Sequence, residues 1–326
     1  MTLLLPALTI AVALPMALLV DRWWGEPRLR LHPVVWMGNY LSATGTWVQR
    51  HTQQQPELRD LKAFWLAAVV WCAGAAMVSG AAWALQSAMD TLPWWAEGLA
   101  LGLLLKPMLA WAMLKREVLA VEAALGESLD AGRERLRWLV SRDVAQLTDT
   151  QVRESAIETL AENLNDSVVA PIFWFVLLGL PGSALYRFAN TADAMWGYPG
   201  VYKGQNWAWA GKWAARVDDG LSWVPARITA ALLLLAAGVR GMRLARQLPG
   251  QARQTPSPNS GWPMAAMALN LDVSLRKPGV YVLNPQGRAA LAVDTARALV
   301  YASKSLLALV VIAQAAMLLI AFGRPA

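Results

Sequence analysis

The chain has few of the residues that most often build reactive centres: one cysteine, Cys72, and two histidines, His32 and His51, in 326 residues. Cys72 falls inside a long apolar run, so the sequence offers no internal disulfide and no thiolate metal site. Two histidines are too few for a histidine-based zinc centre. The phosphate-cradling pattern G-x-x-x-x-G-K-[ST] is missing, because Gly211-Lys212 lacks both the upstream glycine and the following Ser or Thr. Any nucleotide must therefore be held without a P-loop. No internal repeat, low-complexity tract or Pro/Ser-rich linker divides the chain, and one membrane-embedded domain over 1–326 is expected. Acidic residues are also scarce, 22 against 29 Lys and Arg. The net charge of +7 is modest and its basic residues are scattered, without the aromatic interleaving of single-strand binders. Basic loops beside anionic lipid account for it, and a nucleic-acid partner is excluded.

What is abundant is apolar: 56% hydrophobic residues and 18 Trp, with a mean hydropathy of +0.35. The expected fold class is an all-α polytopic integral membrane protein, with about four full spans, two short, re-entrant or protein-buried apolar helices, and large cytoplasmic helical loops. The full spans lie near 2–20, 62–85, 94–114 and 305–323. The first reads as an anchor, since it lacks a basic n-region and its Ala11-Val12-Ala13 triplet sits inside the apolar run. Trp23, Trp24, Trp94 and Trp95 mark span ends. The short segments lie near 168–188, interrupted by Leu180-Pro181-Gly182, and near 221–239. Loops 21–61, 115–167 and 240–297 carry the Lys and Arg, which places them in the cytoplasm. The expected localisation is the bacterial inner membrane, with the polar catalytic region 140–263 facing the cytoplasm.

That region holds Arg142-Asp143, then Glu154, Glu158, Glu162 and Asp166 spaced by four. Thr148 and Gln151 form a capping box at the start of the helix. The carboxylates are offset by two residues from an equally regular apolar row, Val152, Ala156, Leu160 and Leu164. Ser155, Thr159 and Asn163 flank them. A solvated face on an amphipathic helix would explain the pattern. However, like charges one turn apart repel, Arg153 is the only basic residue between 151 and 170, and the helix runs straight into apolar sequence. Such a row is costly unless it binds a cation or shares protons. Oxygen-only ligands suit Mg²⁺, which takes one or two carboxylates plus phosphate oxygens.

Asn190 and Asp193 follow the Pro-Gly break, and Arg216, Asp218 and Asp219 precede the second short segment. Polar groups at broken helices line cavities, although Asp218-Asp219 serves equally as a helix N-cap. Arg227 and Lys106 stand beside apolar runs and need partners, unless Lys106 snorkels. Ser257 and Asn259 belong to a rigid turn, T-P-S-P-N-S-G-W-P from Thr255, whose N–H groups suit an anion.

Taken in order, these segments resemble the adenosylcobinamide-phosphate synthase (CobD/CbiB) family of cobalamin biosynthesis. The similar stretches are D-R-W-W-G-E-P-R from Asp21, V-S-R-D from Val140, E-S-A-I-E-T-L-A-E-N-L-N-D-S-V-V-A-P from Glu154, N-T-A-D-A-M-W-G-Y from Asn190, A-R-V-D-D from Ala215 and S-P-N-S-G-W-P from Ser257. The match runs from about residue 15 to the end. Ser167 and Ser260 depart from an expected Gly or Ala, and Leu164-Asn165 before Asp166 is unusual, but no charged position is affected.

The resemblance implies an amide-forming ligase that joins a carboxylate of adenosylcobyric acid to aminopropanol, or to its O-phosphate, at the expense of ATP with Mg²⁺. Roles within the set are inferred from the residues themselves: Glu154, Glu158 and Asp193 are expected to be catalytic, and Glu162 and Asp166 metal ligands. Arg142, Asp143, Asn163, Asn190, Arg216, Asp218, Asp219, Arg227, Ser257 and Asn259 would be substrate contacts. The expected partners are the corrinoid, the amino alcohol, ATP and the lipid bilayer, with other corrinoid-pathway enzymes or a homo-oligomer left open. A regulatory membrane relative of the family and a small-molecule transporter are the competing readings. The first would keep its function when Glu158 or Asp193 is neutralised, and the second usually shows paired repeats.

Overall fold

The computed structural model describes residues 6–322. In chain order the helices are α1 Ala7–Trp24, α2 Pro33–Gln49, α3 Leu61–Ser87, α4 Trp94–Leu105, α5 Trp111–Glu127, α6 Leu129–Leu136, α7 Asp149–Leu164, α8 Ala170–Trp196, α9 Lys212–Ala236, α10 Val239–Leu244, α11 Leu248–Ala252, α12 Gly261–Leu271 and α13 Ala292–Phe322. Two small antiparallel hairpins complete the chain: β1 Val201–Tyr202 with β2 Gln205–Asn206, and β3 Leu275–Lys277 with β4 Tyr281–Leu283.

Among the described residues, six helical stretches are long and apolar enough to cross a membrane: Ala7–Trp24, Leu61–Ser87, Trp94–Glu127, Asp149–Trp196, Lys212–Ala236 and Ala292–Phe322. The chain is thus an all-α protein of polytopic type. Residues 2–5 of the first expected span and residue 323 of the last lie outside the described residues. The apolar segments near 168–188 and 221–239 are parts of longer rods. Hydropathy registers only their apolar ends, whereas backbone hydrogen bonding continues into the polar residues of α7 and of early α9. The expected interruption near Pro181 is real but is placed at Gly179, whose φ of 67° and ψ of −157° break α8. The Leu180 N–H freed there donates to buried Gln86 Oε1 at 2.8 Å. A side chain at 179 would be strained by the backbone angles and would collide with that same Gln86.

The chain forms two compact units, one made of residues 1–109, 170–221 and 317–326 and the other of 110–169 and 222–316. In the first unit α1 lies against α4 at a glycine stripe. A Cβ on Gly98 would stand 2.8 Å from the Thr9 carbonyl oxygen, and one on Gly102 2.8 Å from that of Ala13. Glycines four apart let two apolar helices approach closely where no hydrophobic effect drives them together. The same unit buries an ionic cluster: Lys106 Nζ lies 3.2 Å from Asp21 Oδ1 and 2.8 Å from Glu26 Oε1. Lys106 is 2% exposed, so it is ion-paired and does not snorkel.

The second unit is built on a core of Val121, Leu136, Val144, Leu147, Val152 and Ala156 from α5, α6, α7 and the loop between α6 and α7. The remaining faces of α7 pack against α12 and β3. That arrangement positions the acidic row.

Candidate active site

The α7 helix starts as its sequence requires. The Thr148 hydroxyl accepts from the Gln151 N–H at 3.3 Å, and Gln151 Oε1 accepts from the Thr148 N–H at 2.9 Å. The apolar row Val152, Ala156, Leu160 and Leu164 is buried, and so is the first half of the acidic row, with Glu154 0% and Glu158 4% exposed, while Glu162 and Asp166 are half-buried. The solvated-face reading therefore fails, because α12 and the β3–β4 hairpin cover the side that an isolated amphipathic helix would leave wet.

Cations absent from the local sequence come from elsewhere in the same unit. Arg142, in the loop after α6, reaches Glu158 Oε2 at 3.2 Å and also donates to Ser155 Oγ. Arg276, on β3, lies 3.1 Å from Glu154 Oε2. Arg153 is used differently: it pairs with Glu122 at 2.8 Å, and Glu122 also accepts from Thr295 Oγ1 at 2.7 Å. Those contacts join α5, α7 and α13.

Beside these pairs lies a polar cleft of about 230 Å³, lined by Leu139, Val140, Ser141, Arg142, Glu158, Thr159, Glu162, Asn163, Lys277 and Tyr281. Tyr281, at the start of β4, donates to Met264 Sδ at 3.7 Å. Burial, followed by the negative charges of Glu158 and Glu162, pushes its phenol well above the ordinary range. It stays a neutral hydroxyl, able to donate.

The four-residue repeat holds through Glu162 and then ends. Residues Asn165–Val169 form a π-turn, which inserts one residue and rotates everything after it. Asp166 accepts from Asn165 Nδ2 at 2.8 Å and is not among the residues lining the cleft. Asn165 Oδ1 takes the Thr229 hydroxyl at 3.0 Å, tying the π-turn to α9.

The other expected site residues are distributed as follows. Asp143 is exposed and accepts from the Ala145 N–H at 2.9 Å, fixing the turn that presents Arg142. Arg227 donates to Asn259 Oδ1 at 3.0 Å and stands over the rings of Trp223 and Trp262, at 4.2 and 4.8 Å. Ser257 Oγ accepts from the N–H groups of Asn259 and Ser260 at 3.2 and 3.3 Å, which shapes the turn entering α12. In the first unit Asn190 Nδ2 donates to Asp218 Oδ1 at 3.5 Å. Asp193 Oδ1 occupies the space that a Cβ on Gly197 would need. Asp219 is half-buried and Arg216 exposed.

Sequence reasoning missed Lys277 and Tyr281 and treated Arg276 as a loop charge. The signal was available: L-R-K-P-G-V-Y-V-L from Leu275 is a Pro-Gly turn between alternating apolar positions, a hairpin pattern.

The chain combines long apolar helices with, in its second unit, a polar cleft beside buried carboxylate–arginine pairs, the make-up of a polytopic membrane protein with an enzyme-like site. The model of the family described as CobD/Cbib protein matches residues 14–310. Over 271 residues the chain is 41% identical to the probable cobalamin biosynthesis protein CobD of Methanothermobacter thermautotrophicus, covering 82% of this chain and 84% of that one. It is 38% identical to the cobalamin biosynthesis protein CobD of Chromobacterium violaceum, with 81% of each covered. For the protein of that name from Halalkalibacterium halodurans the identity is 34%, over 83% of this chain and 82% of that one. No solved structure matches. The chain belongs to the CobD/CbiB family, as its ordered motifs indicated.

Proposed function

We propose that this protein acts in cobalamin biosynthesis as an ATP-dependent ligase, joining a carboxylate of adenosylcobyric acid to aminopropanol or its O-phosphate. One observation carries the assignment of the site: the α7 carboxylates Glu158 and Glu162 share a polar cleft with Arg142 and Lys277, within a family whose relatives are named for cobalamin biosynthesis. A carboxylate and an amine do not condense in water unless the carboxylate is activated. Transfer of the ATP γ-phosphoryl group gives an acyl phosphate and ADP, and attack by the free amine then gives the amide and inorganic phosphate.

The residues fit those needs. Glu158, buried and held by Arg142, is placed to take the proton that an ammonium must lose before it attacks. Arg142 and Lys277 balance phosphate charge. Magnesium would neutralise ATP phosphates and polarise the transferred group. Among the described residues no three His, Cys, Asp or Glu side chains are gathered into a metal site. The donor set fits a magnesium that arrives with the nucleotide, held by Glu162 and the oxygens beside it. Asp166 belongs to this ligand set only if the π-turn repacks. Glu154, locked to Arg276, supports the hairpin wall, and the polar group of Asn190, Asp193, Arg216, Asp218 and Asp219 is left for corrinoid or nucleotide contacts.

The test is reconstitution: purified protein with ATP, Mg²⁺, adenosylcobyric acid and aminopropanol phosphate. The expected result is ATP-dependent amide formation, lost in Glu158→Gln. A folded, pure protein that forms no amide with either form of the amino alcohol would refute the proposal.

A further inference from the structure

We propose that an apolar cleft in the first unit, bounded by α2, α3, α8 and the end of α4, holds one acyl chain of an anionic phospholipid whose phosphate meets Arg28 and Arg30. The proposal does not depend on the ligase reading, because none of these residues lines the polar cleft. Four observations point the same way.

First, the cleft suits hydrocarbon. Its volume of about 480 Å³ falls within the roughly 300–1,000 Å³ of ligand sites, and none of its lining side chains is charged. Only two of them carry an N–H or O–H group, and both are engaged inside the protein. Trp36 Nε1 donates to the Arg30 carbonyl at 2.9 Å, and the Tyr40 hydroxyl donates to that of Val70 at 2.8 Å. A polar ligand would lose its hydration there and gain no partner, whereas apolar cavities take apolar guests. Met37, Met77 and Met108 add unbranched, adaptable side chains to the wall, which suit a flexible chain.

Second, the cleft opens through apolar surface. Leu31, Trp36, Met77, Leu85 and Leu103 all line it and are all exposed, and α3 is long and apolar enough to cross a membrane. An acyl chain enters sideways through such a surface without crossing water. Third, cations stand at the rim. Arg28 and Arg30 are both exposed and lead directly into Leu31, and the Trp36 bond holds the Arg30 backbone to the cleft. The buried ions nearby are already committed: Lys106 to Asp21 and Glu26, and His32 to Glu26 at 3.0 Å. The two arginines are the groups left to grip a phosphate, which their planar forks suit. Fourth, Trp23 and Trp24 precede them by a few residues and are 70% and 75% exposed. Exposed tryptophans mark the headgroup level of a bilayer.

The experiment is photo-crosslinking of the purified full chain in phosphatidylcholine vesicles that contain a phosphatidylglycerol with a diazirine on one acyl chain. Adducts are expected on Met37 and Met108, buried side chains of the cleft that bulk lipid does not touch. Unlabelled phosphatidylglycerol should compete at least about tenfold better than phosphatidylcholine of the same chains, since each arginine adds attraction for a negative headgroup. Ala81→Trp, at an exposed lining position, should fill the cleft and abolish those adducts. Adducts on exposed Leu307 and Val311 of α13 should persist in that variant. Arg28→Gln combined with Arg30→Gln should remove most of the preference for phosphatidylglycerol and leave competition by phosphatidylcholine unchanged. Adducts confined to exposed helix surfaces, or equal competition by the two lipids, would overturn the proposal with the native chain alone. So would cleft adducts that persist undiminished in folded Ala81→Trp. Cleft adducts displaced by adenosylcobyric acid but not by phospholipid would assign the cleft to the corrinoid and overturn it as well.

Discussion

At the residue scale, the protein pairs its buried charges across long sequence separations. Lys106 is matched by Asp21 and Glu26, Glu154 by Arg276, and Glu158 by Arg142. The need for partners was legible from composition: a few carboxylates and isolated Lys or Arg beside apolar runs must be compensated. Which residue answers which was not, because the partners lie 16 to 122 positions apart and no local rule links them. Removing one member of a buried pair leaves the other uncompensated, at a cost of roughly 3–5 kcal/mol. Lys106→Met is therefore expected to lower the thermal midpoint in detergent by many degrees, and adding Asp21→Asn should recover part of the loss. Glu26 adds a pH dependence. Burial works against its ionisation, but hydrogen bonds from His32 and Lys106 outweigh this and hold its pKa below the usual range. Its stabilising contribution is thus complete above the ordinary glutamate pKa of about 4.3 and is lost as pH falls through the lowered value. A melting series across that acid range, compared with Glu26→Gln, checks the sign.

At the element scale, periodicity found the helices but not their irregularities. The α7 capping box and its two rows lie where spacing put them. The rod that joins α7 to α8 was not visible, because its π-turn at Asn165–Val169 and its break at Gly179 are compensated by Thr229 and by Gln86, residues distant in sequence. The same π-turn removes Asp166 from the register that spacing alone assigns to it. The α1–α4 contact was legible in principle from Gly98 and Gly102, one turn apart. Gly98→Leu is expected to collide with Thr9 and Val12 and to destabilise by about 1–3 kcal/mol or more. Gly80→Leu, where a Cβ meets nothing within 4 Å, should be nearly silent. Comparable melting temperatures for the two variants would contradict the close-packed contact.

At the scale of the whole molecule, the fold class was readable from composition, since nothing but a membrane protein combines this hydropathy with so few charges. The six helical stretches long and apolar enough to cross, among the described residues, contain the four spans and the two short apolar segments expected, and the latter two lie in longer helices because polar functional residues share rods with apolar ones. We propose, from the charge of the loops alone, that the cleft faces the cytoplasm. Single cysteines at exposed Ser141 and Lys203, in a Cys72→Ala background, are expected to resist impermeant thiol reagents in intact cells and to react after permeabilisation. Labelling of the Ser141 variant from outside would overturn that orientation.

The chemistry itself is tested most directly by following oxygen. With ¹⁸O in the corrinoid carboxylate, activation as an acyl phosphate transfers one labelled oxygen to the inorganic phosphate released when the amide forms. The account predicts one ¹⁸O per phosphate with the native protein, and neither label transfer nor amide with Glu158→Gln. Amide formation that leaves the phosphate unlabelled would contradict it.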